Sequence, residues 1–191
     1  TCIRCNEYLA AAVAEHFRCK QQPFPIQYLG LPLSIYRLKR QDLMPLIDKF
    51  SNKMKGCKPK MMAVAGRLAL TRSVLMALPM HFMAALPLPT WATKVINRRC
   101  RGFLWKGEED ISGGHCLMPW ARVCMPKELG GLGVINLKYF GIALRCRWPW
   151  LRWEEEARPW QGLPDTTEKE VGAIVHAACR IKLGNGELAK F

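Results

Sequence analysis

Aspartate is scarce in this 191-residue chain: only Asp42, Asp48, Asp110 and Asp165 occur, and no two are neighbours. Polymerase chemistry needs carboxylates close enough to seat two divalent ions around the attacking and leaving oxygens, so no polymerase site is expected within the chain. A G-x-S-x-G elbow is missing too, which leaves Ser73 and Ser112 without the setting of a covalent nucleophile. Gly113-Gly114 and Gly130-Gly131-Leu132-Gly133 lack the Lys-Ser/Thr ending of a phosphate loop and read as turns. No uncharged apolar run reaches the ~18 residues of a membrane span; the longest, residues 74–89, is broken by Pro79, His81, Pro87 and Pro89. The nine Cys are odd in number and irregularly spaced, with no signal peptide ahead of them. They suit buried thiols in a reducing compartment better than a secreted disulfide framework.

What the chain has in excess is positive charge, +14 in all, and it is unevenly placed. Residues 1–106 hold 18 Lys and Arg against 4 Asp and Glu, whereas residues 107–191 hold 11 of each. A basic half suits a polyanion, because Lys and Arg neutralise phosphates and release condensed counterions. A solubilising surface is the bland alternative, and an anionic membrane surface a weaker one. The chain starts at Thr1 and stops after a turn-like Leu183-Gly184-Asn185-Gly186, so both termini read as cuts.

Periodicity predicts a mainly helical chain. Residues 5–20 are Ala-rich and helical until Pro23 and Pro25, and residues 26–34, around Gly30 and Pro32, suit an extended edge segment or a hairpin arm. Asp42 is placed to cap a helix whose stripe is Leu43, Leu46, Ile47, Phe50 and Met54, with Pro45 in its first turn and Gly56 at its end. A single helix over 61–78 puts Val64, Leu68, Thr71, Leu75 and Leu78 on one face and is closed by Pro79. Thr90 is placed to cap a helix over 91–105, with Ile96, Cys100 and Phe103 opposite a basic stripe of Lys94, Arg98 and Arg101. An acidic, glycine-rich turn at 107–114 marks a soft boundary. Residues 115–120 follow as a short strand, then a turn at 128–133 that requires positive φ. Asn136 caps a helix with Leu137, Phe140, Leu144, Trp148 and Leu151 on its apolar face, kinked at Pro149. Lys138, Arg145 and Arg152 recur at seven-residue spacing on another face, and residues 167–181 form a further amphipathic stretch. Trp91, Trp105 and Trp148 belong to the core on this reading and not to base stacking.

One metal-ligand spacing stands out: Cys2-x2-Cys5 followed by His16-x2-Cys19. The intervening residues read as helix, which favours free thiols over zinc. His115, Cys116 and Cys124 form a poorer set without a fourth partner.

Four segments, FPIQYLGLPLS at 24–34, AGRLALTRSVLMALP at 65–79, FLWKG at 103–107 and WARVCMPKELGGLGVINL at 120–137, stand in one order. In that order the chain resembles the downstream part of plant LINE-type (non-LTR) retrotransposon reverse transcriptases. The resemblance implies a thumb-like helical bundle with one or two short β hairpins and a helical connector. It divides the chain into a post-palm segment (1–35), a basic thumb-like domain (36–107), a connector (108–160) and the start of a downstream region (161–191). The catalytic palm with its Mg²⁺ would lie upstream and a Cys/His zinc-binding region downstream, so no cofactor and no polymerase activity belong to this stretch alone. The implied partners are the palm and the backbone of an RNA/DNA duplex, in the nucleus or cytoplasm. Sequence-independent contacts would fall to Lys53, Lys55, Lys58, Lys60, Arg67, Arg72, Lys94, Arg98 and Arg101. The chain departs from the family at Cys57, where a Trp is usual, at Pro59 and at Pro149; losing the Trp predicts a cavity. A remnant of a decayed element without its own activity, or a host-recruited nucleic-acid-binding module, are the alternatives.

Overall fold

The computed structural model describes residues 6–110, 116–154 and 169–180. It is mainly α, with one two-stranded antiparallel sheet among the described residues. The first helix, α1, spans Glu7–His16, and the Asn6 side chain accepts from the Tyr8 N–H to start it. Strands β1 (Ile26–Tyr28) and β2 (Leu31–Leu33) pair in the register Ile26 to Leu33. Leu29 and Gly30 between them both take positive φ, at 50° and 77°, the pattern that matches strand twist in a two-residue hairpin.

Helix α2 runs Arg40–Gly56 and buries Leu43, Ile47, Phe50 and Met54. Asp42 is not its cap: the helix starts earlier, at Arg40, and the Asp42 carboxylate reaches back to accept from the Lys39 N–H at 2.7 Å. Pro45 consequently sits inside the helix on its exposed side, where water can take the carbonyl it leaves free.

The expected single helix over 61–78 is broken into pieces. A 3₁₀ turn at Pro59–Met61 leads to α3 (Val64–Leu70), a π-helical stretch at Thr71–Leu75, and then α4 (Met80–Ala85). Thr71 and Ser73 donate their hydroxyls to the carbonyls of Arg67 and Ala69, both at 2.8 Å. Side chains that take i−4 carbonyls compete with the helical ladder, and the Met76 N–H bonds five residues back, to Thr71. The helical run is over before Pro79, ending at Leu75 with a turn at 76–79, and Pro79 is the residue that precedes α4.

Helix α5 spans Thr90–Trp105, with Ile96, Cys100 and Phe103 fully buried as its spacing predicts. Pro89 precedes it, so Thr90 is its first residue and not its cap. The strand expected at 115–120 is not formed over 116–120; Trp120 opens α6 (Trp120–Val123), while residues 111–115 lie outside the described residues. A 3₁₀ turn at Lys127–Leu129 and the Gly130–Gly133 turn lead into α7 (Leu137–Arg145), capped by Asn136, which accepts from the Lys138 N–H. Pro149 offers no N–H to the Arg145 carbonyl, and the chain breaks there into α8 (Arg147–Glu154). The last described helix, α9, is Lys169–Ala178 and buries Val171 and Val175.

The buried face of α7 and α8 differs from the expected one: two residues not expected on it are buried, and one expected member, Trp148, is half exposed. Gly141 and Ile142 are buried in the contact with α4, where the absent Cβ lets Met83 approach. Trp148 is 46% exposed and donates its indole N–H to the Ala84 carbonyl at 2.8 Å. Trp91 and Trp105 do pack on the core. One cluster of buried residues runs from Ile47 on α2 through Phe103 on α5 to Val123, Val134 and Leu137, so packing is continuous across the acidic turn near residue 108.

Candidate nucleic-acid interface

The basic residues singled out in the sequence fall into three groups. Lys53, Lys58, Arg72 and Lys94 are exposed, and among the described residues none has an ion-pair partner. Lys55, Lys60 and Arg98 are exposed and paired: Lys55 with Glu109 at 3.7 Å, Lys60 with Glu108 at 3.5 Å, Arg98 with Asp110 at 3.0 Å. Arg67 and Arg101 are drawn inward. Arg67 is only 9% exposed, so it cannot serve as an outward phosphate contact as the sequence suggested. Arg101 is half-buried, and the Nε atoms of both lack a hydrogen-bond partner.

Close backbone approach at two glycines creates the paired group. A Cβ on Gly102 would lie 2.6 Å from the Glu108 carbonyl, and one on Gly107 would lie 2.9 Å from Arg67 Nη1 and 3.2 Å from the Pro59 carbonyl. Bare α-carbons there let the chain fold flat after α5, and Gly107 also takes φ 73°. The acidic run Glu108-Glu109-Asp110 is thereby laid over the end of α2 and the flank of α5. The hydrogen bond from Lys106 is the main cause that holds the Glu108 carboxyl below its ordinary range; desolvation opposes it, and the Lys106 charge and the hydrogen bond and charge of Lys60 add to the lowering. Exposed pairs of this kind are screened by salt and exchange readily with other anions.

Beneath this turn a cleft of about 320 Å³ opens between Met54, Pro59, Met61, Phe103 and the lysine stems. Cys57 is not among its lining residues; the half-buried Cys57 side chain packs against the core, and its thiol donates to the Lys53 carbonyl at 3.1 Å.

No family model matches this chain, and no solved structure matches it either. It is similar to a plant protein. That relative, from Arabidopsis thaliana, carries the name of a ribonuclease H protein and is 32% identical over 130 residues, or 68% of this chain. The chain spans 21% of the relative's length.

The other candidate chemistries are placed as follows. His16 and Cys19 are exposed at the end of α1, and their proposed partners Cys2 and Cys5 lie outside the described residues. Among the described residues no group of three or more His, Cys, Asp and Glu is arranged to hold a metal ion. Burial pushes the Cys124 thiol up to about 11 and the Cys100 thiol well above its ordinary value. Asp42 is engaged at the start of α2 and Asp110 with Arg98; Asp165 and Ser112 lie outside the described residues. The Gly130–Gly133 turn spends its own amides: Gly130, Gly131 and Gly133 donate to the carbonyls of Lys127, Pro126 and Met125. It is a structural turn and not an amide cradle for phosphate. Among the described residues no helix is long and apolar enough to cross a membrane.

Sequence reasoning missed two kinds of residue. Arg99 is a clamp, donating to the Ile47 carbonyl at 2.9 Å and to the Ser51 hydroxyl, which ties α5 to α2. Arg145 likewise donates to the Met83 carbonyl at 3.3 Å and joins α7 to α4, so it is not a solvated member of a basic face. Arg122 and Lys127 were passed over because they stand apart in a charge-neutral half, although both are exposed.

Proposed function

We propose that this chain is a thumb-and-connector segment of a retroelement reverse transcriptase, holding a primer-template duplex by its backbone without performing the polymerisation itself. The observation that carries this reading is the set of exposed, unpaired cations, Lys53, Lys58, Arg72 and Lys94, mounted on a helical scaffold whose core is continuous. The ordered segments at 24–34, 65–79, 103–107 and 120–137 support it. So does similarity to a relative named for an enzyme acting on RNA. Contacts through Lys and Arg to phosphate carry no sequence information and depend strongly on salt.

Exposed apolar side chains favour a larger parent polypeptide. Tyr8, Phe17, Tyr28, Leu29 and Tyr36 are each more than half exposed on α1, the hairpin and the segment after it. Exposed apolar side chains of this number suit contact with another domain, and the palm is the partner this reading assigns.

The experiment is a titration of the chain into a labelled RNA–DNA hybrid at increasing KCl. Log affinity is expected to fall linearly with log salt, with a slope of about −0.9 per phosphate neutralised on the B-DNA scale. Absence of binding at low salt, or a flat salt response, would reject the reading.

A further inference from the structure

We infer that Arg72, Arg122 and Lys127 form a second phosphate-contacting surface, one that receives the sugar-phosphate backbone of a duplex separately from the cations on α2 and α5. The inference rests on the nucleic-acid reading above and adds Arg122 and Lys127 to it. Three elements bring these charges to one turn: Arg122 and Lys127 come from the neighbouring α6 and 3₁₀ turn, and Arg72 comes from the π-helical stretch some fifty residues earlier. A Cβ on Gly133 would lie 3.6 Å from Arg72 Nη2 and 3.6 Å from Lys127 Cγ, and one on Gly130 would lie 3.9 Å from Arg122 Nη2. The cations are therefore spread along the turn from Gly130 to Gly133, and all three are exposed.

The surroundings point to an external anion. Among the described residues no carboxylate comes within the 4.0 Å of an ion pair to any of the three. Glu128, their neighbour on the turn, is exposed and pairs with none of them. Like charges gathered without a counter-charge repel, and a polyanion relieves that repulsion while releasing its own counterions. Gly130 is exposed with φ 75°, and Arg122 is the one group near its missing Cβ, which leaves room for a phosphodiester strand to lie against the main chain. Because the turn's amides are already committed, recognition falls to the side-chain charges and is independent of sequence.

The test uses the full chain and a fluorescein-labelled RNA–DNA hybrid of about 20 base pairs, followed by anisotropy from about 50 to 300 mM KCl. The variant R122Q/K127Q should flatten the log–log slope by about two and weaken binding about tenfold at the lowest salt. R122K/K127R, which keeps both charges, should restore the slope and most of the affinity. A wild type that binds with the same slope as R122Q/K127Q overturns this surface and leaves the general reading standing. Equal losses in both variants assign the two side chains to holding the turn and overturn the surface. A wild type that does not bind the hybrid overturns both.

Discussion

Where the acidic run 108–110 lies over the ends of α2 and α5, Lys55, Lys60 and Arg98 are answered by carboxylates of the chain itself, whereas around the Gly130–Gly133 turn the cations stand open, as Lys53 and Lys94 do. Both regions gather basic side chains from elements distant in sequence, and both depend on glycines that let backbones touch. At the first, Gly102 and Gly107 allow an acidic run to lie over Lys55, Lys60 and Arg98. At the second, Gly131 packs against Met125 and leaves Arg72, Arg122 and Lys127 uncovered. Net charge alone cannot distinguish these arrangements. A charge already paired must be released before it can meet phosphate, so two equally basic patches differ in what they offer a polyanion.

The most disruptive way to separate the regions is through their backbones. A Cβ on Gly131 would run into the Met125 carbonyl, so Gly131→Ala should destabilise the chain by about 1–3 kcal/mol, as overpacking does, and should scatter the second patch. Gly102→Ala meets the Glu108 carbonyl at 2.6 Å and should loosen the acidic turn. Thermal unfolding of both variants, read beside their hybrid affinity, checks whether the two glycines act on different patches: affinity should drop for Gly131→Ala and rise for Gly102→Ala.

A smaller effect is expected from charge alone. Replacing the acidic run by E108Q/E109Q/D110N should free Lys55, Lys60 and Arg98 and tighten hybrid binding about tenfold at low salt, an advantage lost by about 300 mM KCl. Unchanged affinity at low salt would show that these carboxylates do not compete with phosphate. Arg67→Met is the control in the opposite sense. Arg67 is buried, so its loss should alter the unfolding temperature while leaving the salt slope of binding unaltered.

The smallest expected effect concerns the thiols. Cys100 and Cys124 have folded-state values raised above the ordinary 9.0 by burial. Their contribution to stability is therefore complete below pH 9 and is lost as pH rises toward the folded value, about 11 for Cys124. Thermal midpoints should fall from pH 8 to pH 10. Mass spectrometry after alkylation at pH 8 should find exposed Cys19 modified well before either buried thiol.

Much of the fold was legible because it is local. Ile96, Cys100 and Phe103 lie one helical turn apart and are buried together, and Asn136 caps α7 as a short side-chain acceptor should. The extended character of residues 26–34 was legible, but not that the segment folds back on itself at Leu29–Gly30. Features that depend on distant partners were not legible. The burial of Arg67 arises from a turn forty residues away, against Gly107, and the pairing of Lys55 with Glu109 needs α2 and α5 to pack first. The π-helical stretch escaped for a local reason, since apolar spacing says nothing of Thr71 and Ser73 hydroxyls capturing carbonyls. For the interface, the basic character of the first half was legible, but which charges remain free was not. Arg122 and Lys127 were hidden by a neutral average over their half of the chain.

The central claim, that exposed lysines of both regions lie against duplex phosphates, is tested most directly by a lysine footprint. The chain is acetylated with and without saturating RNA–DNA hybrid, and each site is quantified by mass spectrometry. The account predicts several-fold protection of Lys53, Lys58, Lys94 and Lys127, with exposed Lys20 and Lys169 reacting equally in both states. Equal acetylation of Lys53, Lys58, Lys94 and Lys127 with and without bound hybrid would contradict it.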